Sequence, residues 1–451
     1  MFNDNVNHSS SKFEIFSKLI PECLELVPQI NETYELELAY LESRLLSKEE
    51  IMKNGAYFAM VDNVPTRHFL MCKGEPLKLA NHSSSKLKNF FQNNQFKTGY
   101  STNGLFPYRG KFHPQMIKAL MNIMNLKEGD TVLDPMMGSG TVLIEAKLMG
   151  INSIGIDSSP FCRFMAQAKI DALSVNLNKL KNIPPNEIYT YFSKKIGKPR
   201  QGNKARYSTN NSTLSFINED TELNVKKNDK ELEKILKDEK IYNFLLLAYL
   251  DSAGYSERSN RTEPDQQFES IFERYLFVSG KIQKVLNGFE SELGNAQPML
   301  GDARKLELTD SSVDGIIFSP PYSFAIDYIK NDEFHLEKLN VNIEKLKESM
   351  VGLHGKDNRE RYELYRKDMK QILSECYRVL RNEKYCTIVV GTNRNQIAKI
   401  LDVEPEKVKG IDEILIEFGI DVGFKWERSI ERQISGMANV MKTEKIIMLK
   451  K

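Results

Sequence analysis

The stretch Thr131-Val132-Leu133-Asp134-Pro135-Met136-Met137-Gly138-Ser139-Gly140-Thr141 decides the fold. Residues 131–133 read as a short buried strand, and a glycine loop follows. Residues 142–149 read as a helix closed by Gly150, residues 153–156 as a second strand ending at Asp157, and residues 161–173 as a second helix. Strand, loop, helix, strand, helix in this rhythm predicts an α/β fold with a parallel sheet. Just upstream, Phe112-His113-Pro114 leads into an amphipathic helix over 115–124.

Working outward, the rhythm breaks between about 182 and 290. A polar stretch over 197–229 precedes one helix over 232–250 and another over 268–289. The second carries Phe268, Ile271, Phe272, Tyr275, Leu276, Ile282, Val285 and Leu286 on one apolar stripe. This block reads as a mainly helical insertion with a possible share in target recognition. The α/β rhythm resumes at 299–303, a strand ending in Asp302, and continues with the apolar run 313–318. A helix over 360–380, a strand over 386–390 and a hairpin-like pair over 424–434 and 444–449 follow, making about seven strands. The domain reading is an accessory segment over 1–98, a cofactor-binding half over 99–181, the insertion over 182–290 and a catalytic half over 291–451.

The second informative string is Phe318-Ser319-Pro320-Pro321-Tyr322. Two consecutive prolines cannot extend a strand, so the chain turns there. The turn gathers a hydroxyl, a rigid carbonyl and an aromatic ring at a strand's carboxyl end. Oxygens can accept the hydrogens of an exocyclic amine while the ring stacks on a flat base. A plain turn is the bland alternative, and the cofactor set argues against it.

That set begins with Gly138 and Gly140, where a strand meets a helix. Glycine there admits a ligand close to the backbone, and the helix N-terminus offers free N–H groups. A dinucleotide fingerprint needs a third glycine at position 143, which is Leu143, and no Walker lysine is present. Asp157 lies about 20 residues past the loop, where a carboxylate can bind two ribose hydroxyls. Asp302 stands where a side chain could reach an adenine amine. A loop for a carboxylate, an acid for ribose and an acid for adenine together describe S-adenosylmethionine.

At these residues the chain resembles the S-adenosylmethionine-dependent DNA amino-methyltransferases, which modify N4 of cytosine or N6 of adenine. The matching residues are Asp134 to Thr141, Asp157, Gly301 to Ala303, Phe318 to Tyr322 and the lead-in Phe106 to Gln115. The resemblance implies a Rossmann-like seven-stranded sheet with the last strand antiparallel, here with a helical insertion and an N-terminal mixed segment. It implies that Asp134, Pro135, Gly138, Gly140 and Thr141 lie near the methionine end of the cofactor, with Phe112, His113 and Pro114 covering it. Asp157 would meet ribose, Asp302 and Ala303 adenine, and Ser319, Pro320, Pro321 and Tyr322 would form the catalytic loop. Serine at 319 tilts the target towards cytosine N4, while Phe318 stands where many such members carry threonine. Adenine N6, or a guanosine-type base in transfer RNA, is the alternative. The partner implied is double-stranded DNA; recognition sequence, oligomeric state and any restriction or defence partner stay open.

Composition is ordinary for a soluble globular protein. The 451 residues are 41% hydrophobic and 27% charged, with a formal net charge of +2. No run approaches the roughly 20 apolar residues a bilayer requires, and the N-terminus shows no secretory pattern, so a cytoplasmic location is expected. Five scattered cysteines without a CxxC pair point to a reducing compartment and, with six scattered histidines, to no metal site. Carbon-5 methylation would need a Pro-Cys nucleophile, which is absent. Basic residues Lys194, Lys195, Lys198, Arg200, Lys204 and Arg206 beside Tyr191, Phe192 and Tyr207 could follow a phosphate backbone, as could Arg258 and Arg261. A solvated loop is the commoner meaning of such a run.

Overall fold

The structure is a computed structural model describing residues 14–28, 30, 32–73, 100–108, 110–197, 227–258, 263–289, 292–321, 328–433 and 443–451. Its centre is a seven-stranded sheet of β4 (Thr131–Asp134), β5 (Asn152–Asp157), β6 (Ala296–Leu300), β7 (Val313–Phe318), β8 (Leu380–Gly391), β9 (Lys425–Gln433) and β10 (Thr443–Lys450). The order across the sheet is β6-β5-β4-β7-β8-β10-β9, and β10 runs antiparallel to both its neighbours. The other pairings are parallel. The expected seven-stranded sheet with an antiparallel last strand is therefore the one observed.

Alternation along each strand divides the core into two faces. Val132, Ile317, Val389, Ile446 and Met448 face one cluster, with the helices Pro114–Ile123 and Thr141–Leu148. Leu133, Ile316, Phe318, Ile388, Val390, Ile447 and Leu449 face the other, with the helices Asn358–Val379 and Ile411–Val422. Every residue of β7 is buried, as expected for a central strand covered on both sides. Its Asp314 is satisfied laterally, accepting from the Thr131 N–H at 3.0 Å and from the Arg381 guanidinium.

The N-terminal part forms a small antiparallel sheet of β1 (Leu24–Leu26), β2 (Phe58–Val61) and β3 (Val64–Pro65), with the helices Thr33–Leu45, Lys48–Asn54 and Arg67–Cys72. It shares the first core cluster with the helices Pro114–Ile123 and Thr141–Leu148. Arg67 Nη2 donates to the Leu148 carbonyl at 2.5 Å and to Asn54 Oδ1 at 2.7 Å, closing the C-terminus of the helix after the glycine loop. Gln115 Nε2 donates to the Ala56 carbonyl at 2.9 Å. The boundary expected at 98 falls among residues outside the description.

Glu42 is fully buried at this junction, accepting from the Ala56 N–H at 3.0 Å and Asn122 Nδ2 at 2.6 Å. Burial lifts its carboxyl from 4.5 to about 7, against the bonds from Asn122 and the backbone N–H groups, which favour charge. Between these two values the folded protein keeps a proton that the unfolded chain has released. Stability contributed by this group therefore falls as pH rises through that window and levels off above it. Urea unfolding at about pH 5 and about pH 8 should show a smaller loss with rising pH in Glu42→Gln than in the wild type; an equal loss would move the effect elsewhere.

The insertion is helical, as expected, but the single helix expected over 232–250 is two, Lys227–Ile235 and Glu239–Arg258. Asp238 makes the break. Its carbonyl accepts from the Tyr242 N–H at 2.9 Å, as an N-cap does, while its own N–H closes the preceding turn on Ile235. A further helix, Pro264–Asn287, carries the predicted apolar stripe. Its Arg274 bonds the carbonyls of Gly104 at 3.3 Å and Leu105 at 2.8 Å and pairs with Asp251 at 2.5 Å. The insertion thus packs directly against the segment leading to the glycine loop.

Candidate active site

Strand order creates the site. β4 and β7 lie side by side, with Leu133 paired to Ile316, although the entire insertion separates them in the chain. The loops leaving their carboxyl ends, Pro135 to Gly140 and Ser319 to Pro321, therefore emerge together. The sheet order reverses at this pair, where an α/β sheet opens a crevice.

On one wall, Gly138 and Gly140 adopt φ of +47° and +77°, conformations that side chains resist. Gly140 also has no room: a Cβ there would lie 2.7 Å from Ala166 Cβ. The Gly138 N–H donates to Asp157 Oδ2 at 2.9 Å, and the Ser159 N–H to Oδ1 at 2.8 Å. Asp157 so joins the glycine loop to the end of β5, and each oxygen keeps a lone pair for a further donor. Buried Lys169 donates to the Ser139 carbonyl at 3.4 Å. Burial raises the Asp157 carboxyl to about 6, opposed by those two backbone bonds.

Asp134 is fully buried beneath the loop. Its Oδ1 accepts from the Met136 N–H at 3.0 Å, while Oδ2 has no hydrogen-bond partner among the described residues. Burial pushes its carboxyl well above the usual range, with the neighbouring Asp157 charge adding to the rise. An unsatisfied carboxylate oxygen in this position fits the α-ammonium of a methionine moiety, and the spare lone pairs of Asp157 fit a ribose diol.

The two walls bound one cleft of about 590 Å³, counted to its open mouth. Gly138, Thr141 and Asp157 line it from the cofactor side, Ser319 and Pro321 from the other, and Phe112 from the lead-in segment. The structure thus brings these predicted residues together. Pro320 is buried at the turn and Tyr322 lies outside the described residues. His113 and Pro114 begin the helix Pro114–Ile123 beside Phe112, with His113 at the N-cap position and buried. Asp134, Pro135 and Gly140 shape the loop from beneath.

Asp302 departs from expectation. β6 ends at Leu300, so the acid sits in a turn beyond the strand, not at its tip. Its Oδ1 accepts from the Arg304 N–H at 2.9 Å, a side-chain turn that ends the strand early. Ala303 is buried beside it. The Gly301 N–H donates to the Asp157 carbonyl at 3.0 Å, which keeps this turn next to the cleft.

Sequence reasoning missed several lining residues: Tyr108, Lys111, Cys162, Tyr328 and Met350. Tyr108 and Lys111 stand inside the quoted lead-in, so a signal existed for them. The Tyr108 hydroxyl lies 3.5 Å from Cys162 Sγ. Burial drives that thiol well above its usual range, as suits a packed rather than a reactive cysteine. Lys111 donates to the Asn103 carbonyl at 3.0 Å, and burial lowers its ammonium to about 8.

The basic cluster is only partly within the description. Phe192 is buried and stacks on Tyr249 at 5.7 Å, so it belongs to the core and not to a nucleic-acid surface. Lys195 sits over the rings of Tyr191 and Tyr242 at 5.6 and 5.0 Å. Lys198, Arg200, Lys204, Arg206, Tyr207, Arg261 and the side chain of Arg258 lie outside the described residues. Among the described residues no group of His, Cys, Asp and Glu could hold a metal ion, and no helix is long and apolar enough to cross a membrane.

Comparison with known proteins agrees with this geometry. The family model described as DNA methylase, of the N6 and N4 type, matches residues 4–168. The Type II methyltransferase M.MjaII of Methanocaldococcus jannaschii is 30% identical over 197 residues, covering 41% of this chain and 34% of that protein. The Type II methyltransferase M.BsoBI of Geobacillus stearothermophilus is 24% identical over 287 residues, 53% of each chain. A tRNA (guanine(10)-N2)-dimethyltransferase of Methanothermobacter thermautotrophicus is 42% identical over 52 residues, 12% of this chain and 16% of that protein. The chain spans about a third to a half of the length of the two Type II relatives. With its sheet order, its glycine loop and these matches, the chain is similar over residues 4–168 to the DNA methylases of the N6 and N4 type, and the buried acids beside the glycine loop fit S-adenosylmethionine.

Proposed function

We propose that the protein methylates an exocyclic amine of a base in double-stranded DNA, cytosine N4 in preference to adenine N6. The observation that carries this reading is the lining of one cleft by Gly138, Thr141 and Asp157 together with Ser319 and Pro321. When bound, S-adenosylmethionine supplies a sulfonium-activated methyl group. The protein's part is to hold the acceptor. A base swung out of the helix costs a few kcal/mol, offset in part by stacking on Tyr322 worth about 1–3 kcal/mol. The Ser319 hydroxyl and the Pro320 carbonyl accept the amine hydrogens, so nitrogen density turns towards the methyl carbon. With S-adenosylmethionine bound, the amine nitrogen would take the methyl group from its sulfonium, the sulfur keeping the electron pair of the broken S–C bond, and the surplus amine proton would pass from the Ser319 side to solvent water. Positioning and oriented dipoles account for most of the acceleration. No covalent enzyme intermediate is required, and Cys162, with its thiol held protonated by burial, is no substitute nucleophile.

The serine at 319 is the support for cytosine. The short, strong similarity to a tRNA guanine-N2 enzyme favours a second reading, methylation of an RNA base. The Type II names of the other relatives are the support for a restriction or defence partner. Labelled S-adenosylmethionine with DNA or RNA, followed by digestion to nucleosides, separates these readings. N4-methyldeoxycytidine is expected; N6-methyldeoxyadenosine or a methylated ribonucleoside would replace the base assignment. Absence of transfer to either polymer would end the proposal.

A further inference from the structure

We propose that Arg304 is a positioning residue for the adenine end of the cofactor site, fixing the Asp302 carboxylate beside the cleft. The inference rests on the reading of that cleft as an S-adenosylmethionine site. Asp302 stands in a turn with its side chain 45% exposed, and an acid so placed would otherwise sample several rotamers. Arg304 removes that freedom. Its Nε donates to Asp302 Oδ1 at 2.9 Å and its Nη2 to Oδ2 at 2.8 Å, while its backbone N–H also meets Oδ1. The planar fork sets the plane of the carboxylate as a lysine ammonium could not.

The same guanidinium grips two other segments. Nη2 donates to the Ser349 carbonyl at 2.8 Å, and Nη1 meets Asp368 Oδ2 at 3.3 Å on the helix Asn358–Val379. The residue after Ser349 is Met350, which lines the cleft. His354 braces this segment, bonding the Met350 carbonyl at 3.0 Å through Nδ1 and lying 3.1 Å from Asp368 Oδ2. On the opposite flank, Gly301 bonds Asp157, another cleft residue. Asp302 is therefore one residue from the Asp157 contact and one guanidinium from the Met350 segment.

The chemistry follows from this anchoring. Partial burial would raise the Asp302 carboxyl, but the Arg304 bonds outweigh it and hold the group below its ordinary value. It stays ionised and acts only as an acceptor. Oδ2 accepts from Arg304 Nη2 at 2.8 Å and takes a second share of the Nε–H at 3.1 Å; on a side chain this exposed, the lone pair facing away from the guanidinium is the one an exocyclic purine amine would meet. Were stability the role of this pair, its exposure would limit the gain to little; orientation is the function that three anchored segments support.

The test compares two ligands that share ribose and homocysteine and differ at purine position 6. S-adenosylhomocysteine carries the amine, and S-inosylhomocysteine carries a carbonyl, which a fixed carboxylate rejects. Titration calorimetry on the full chain should show wild-type preference for the amine of about tenfold or more. The ratio should collapse towards one in Arg304→Ala and fall part-way in Arg304→Lys, as in Asp302→Asn. General damage to the pocket weakens both ligands and leaves the ratio intact, so an unchanged ratio in the Arg304 variants would overturn the assignment. If Arg304→Ala does not fold, Arg304→Lys and Arg304→Gln give the same comparison. A wild type that binds both ligands equally would overturn it too. A wild type that binds neither would overturn the cofactor reading beneath it.

Discussion

Gly140→Val is expected to abolish binding of S-adenosylhomocysteine while leaving a folded, less stable protein. Gly140 has φ of +77°, a left-handed conformation that costs an ordinary residue about 1–2 kcal/mol and a β-branched one more. The added Cβ would lie 2.7 Å from Ala166 Cβ, a separation that carbon atoms do not keep. Ala166 cannot yield, because it is fully buried on the helix Pro160–Asp171. The loop must move instead. That displaces the N-cap of the helix Thr141–Leu148 and breaks the Gly138 to Asp157 bond of 2.9 Å. Cofactor affinity should fall by at least about a hundredfold, since two anchors are lost together, with unfolding easier by about 2–3 kcal/mol. Calorimetry below the variant's own unfolding transition checks both; wild-type affinity there would mean that the loop does not meet the cofactor.

Ser319→Ala should separate chemistry from binding. Ser319 is half-buried and lines the cleft with Gly138 and Asp157, at the end of a strand whose every residue is buried. Removing its hydroxyl takes away one of the two acceptors proposed for the amine hydrogens. Loss of one such preorganised partner costs about 10²–10³ in turnover. Single-turnover transfer of labelled methyl groups should slow by that factor, with S-adenosylhomocysteine binding unchanged. A variant that turns over at the wild-type rate would remove Ser319 from the chemistry, and one that loses cofactor as well would mark it as a wall of the cofactor pocket instead.

Much of this was legible in the chain because its signals are local. The buried strands announce themselves through apolar runs, and Gly138 and Gly140 through a strand-to-helix junction that only glycine can turn. The turn at Ser319 follows from two prolines. Other features were present but weaker. Asp238 followed by Glu239 is a helix-start pattern, and it divides what apolar spacing alone joins into one helix. Asp302 looks like a strand end until its side chain is seen to bond the Arg304 N–H, which stops the strand at Leu300.

By itself the sequence determined most of the elements, the glycine loop, the acid at the end of β5 and the double-proline turn after β7, because backbone sterics and hydrophobic period act over a few residues. Only the tertiary structure decided that β4 and β7 are neighbours, so that two loops separated by the whole insertion share a cleft. It alone brought Met350 to the wall and tied Asp302 to it through Arg304. The reason is that strand order and side-chain convergence are set by burying both faces of the sheet at once, a condition that no local stretch of chain contains.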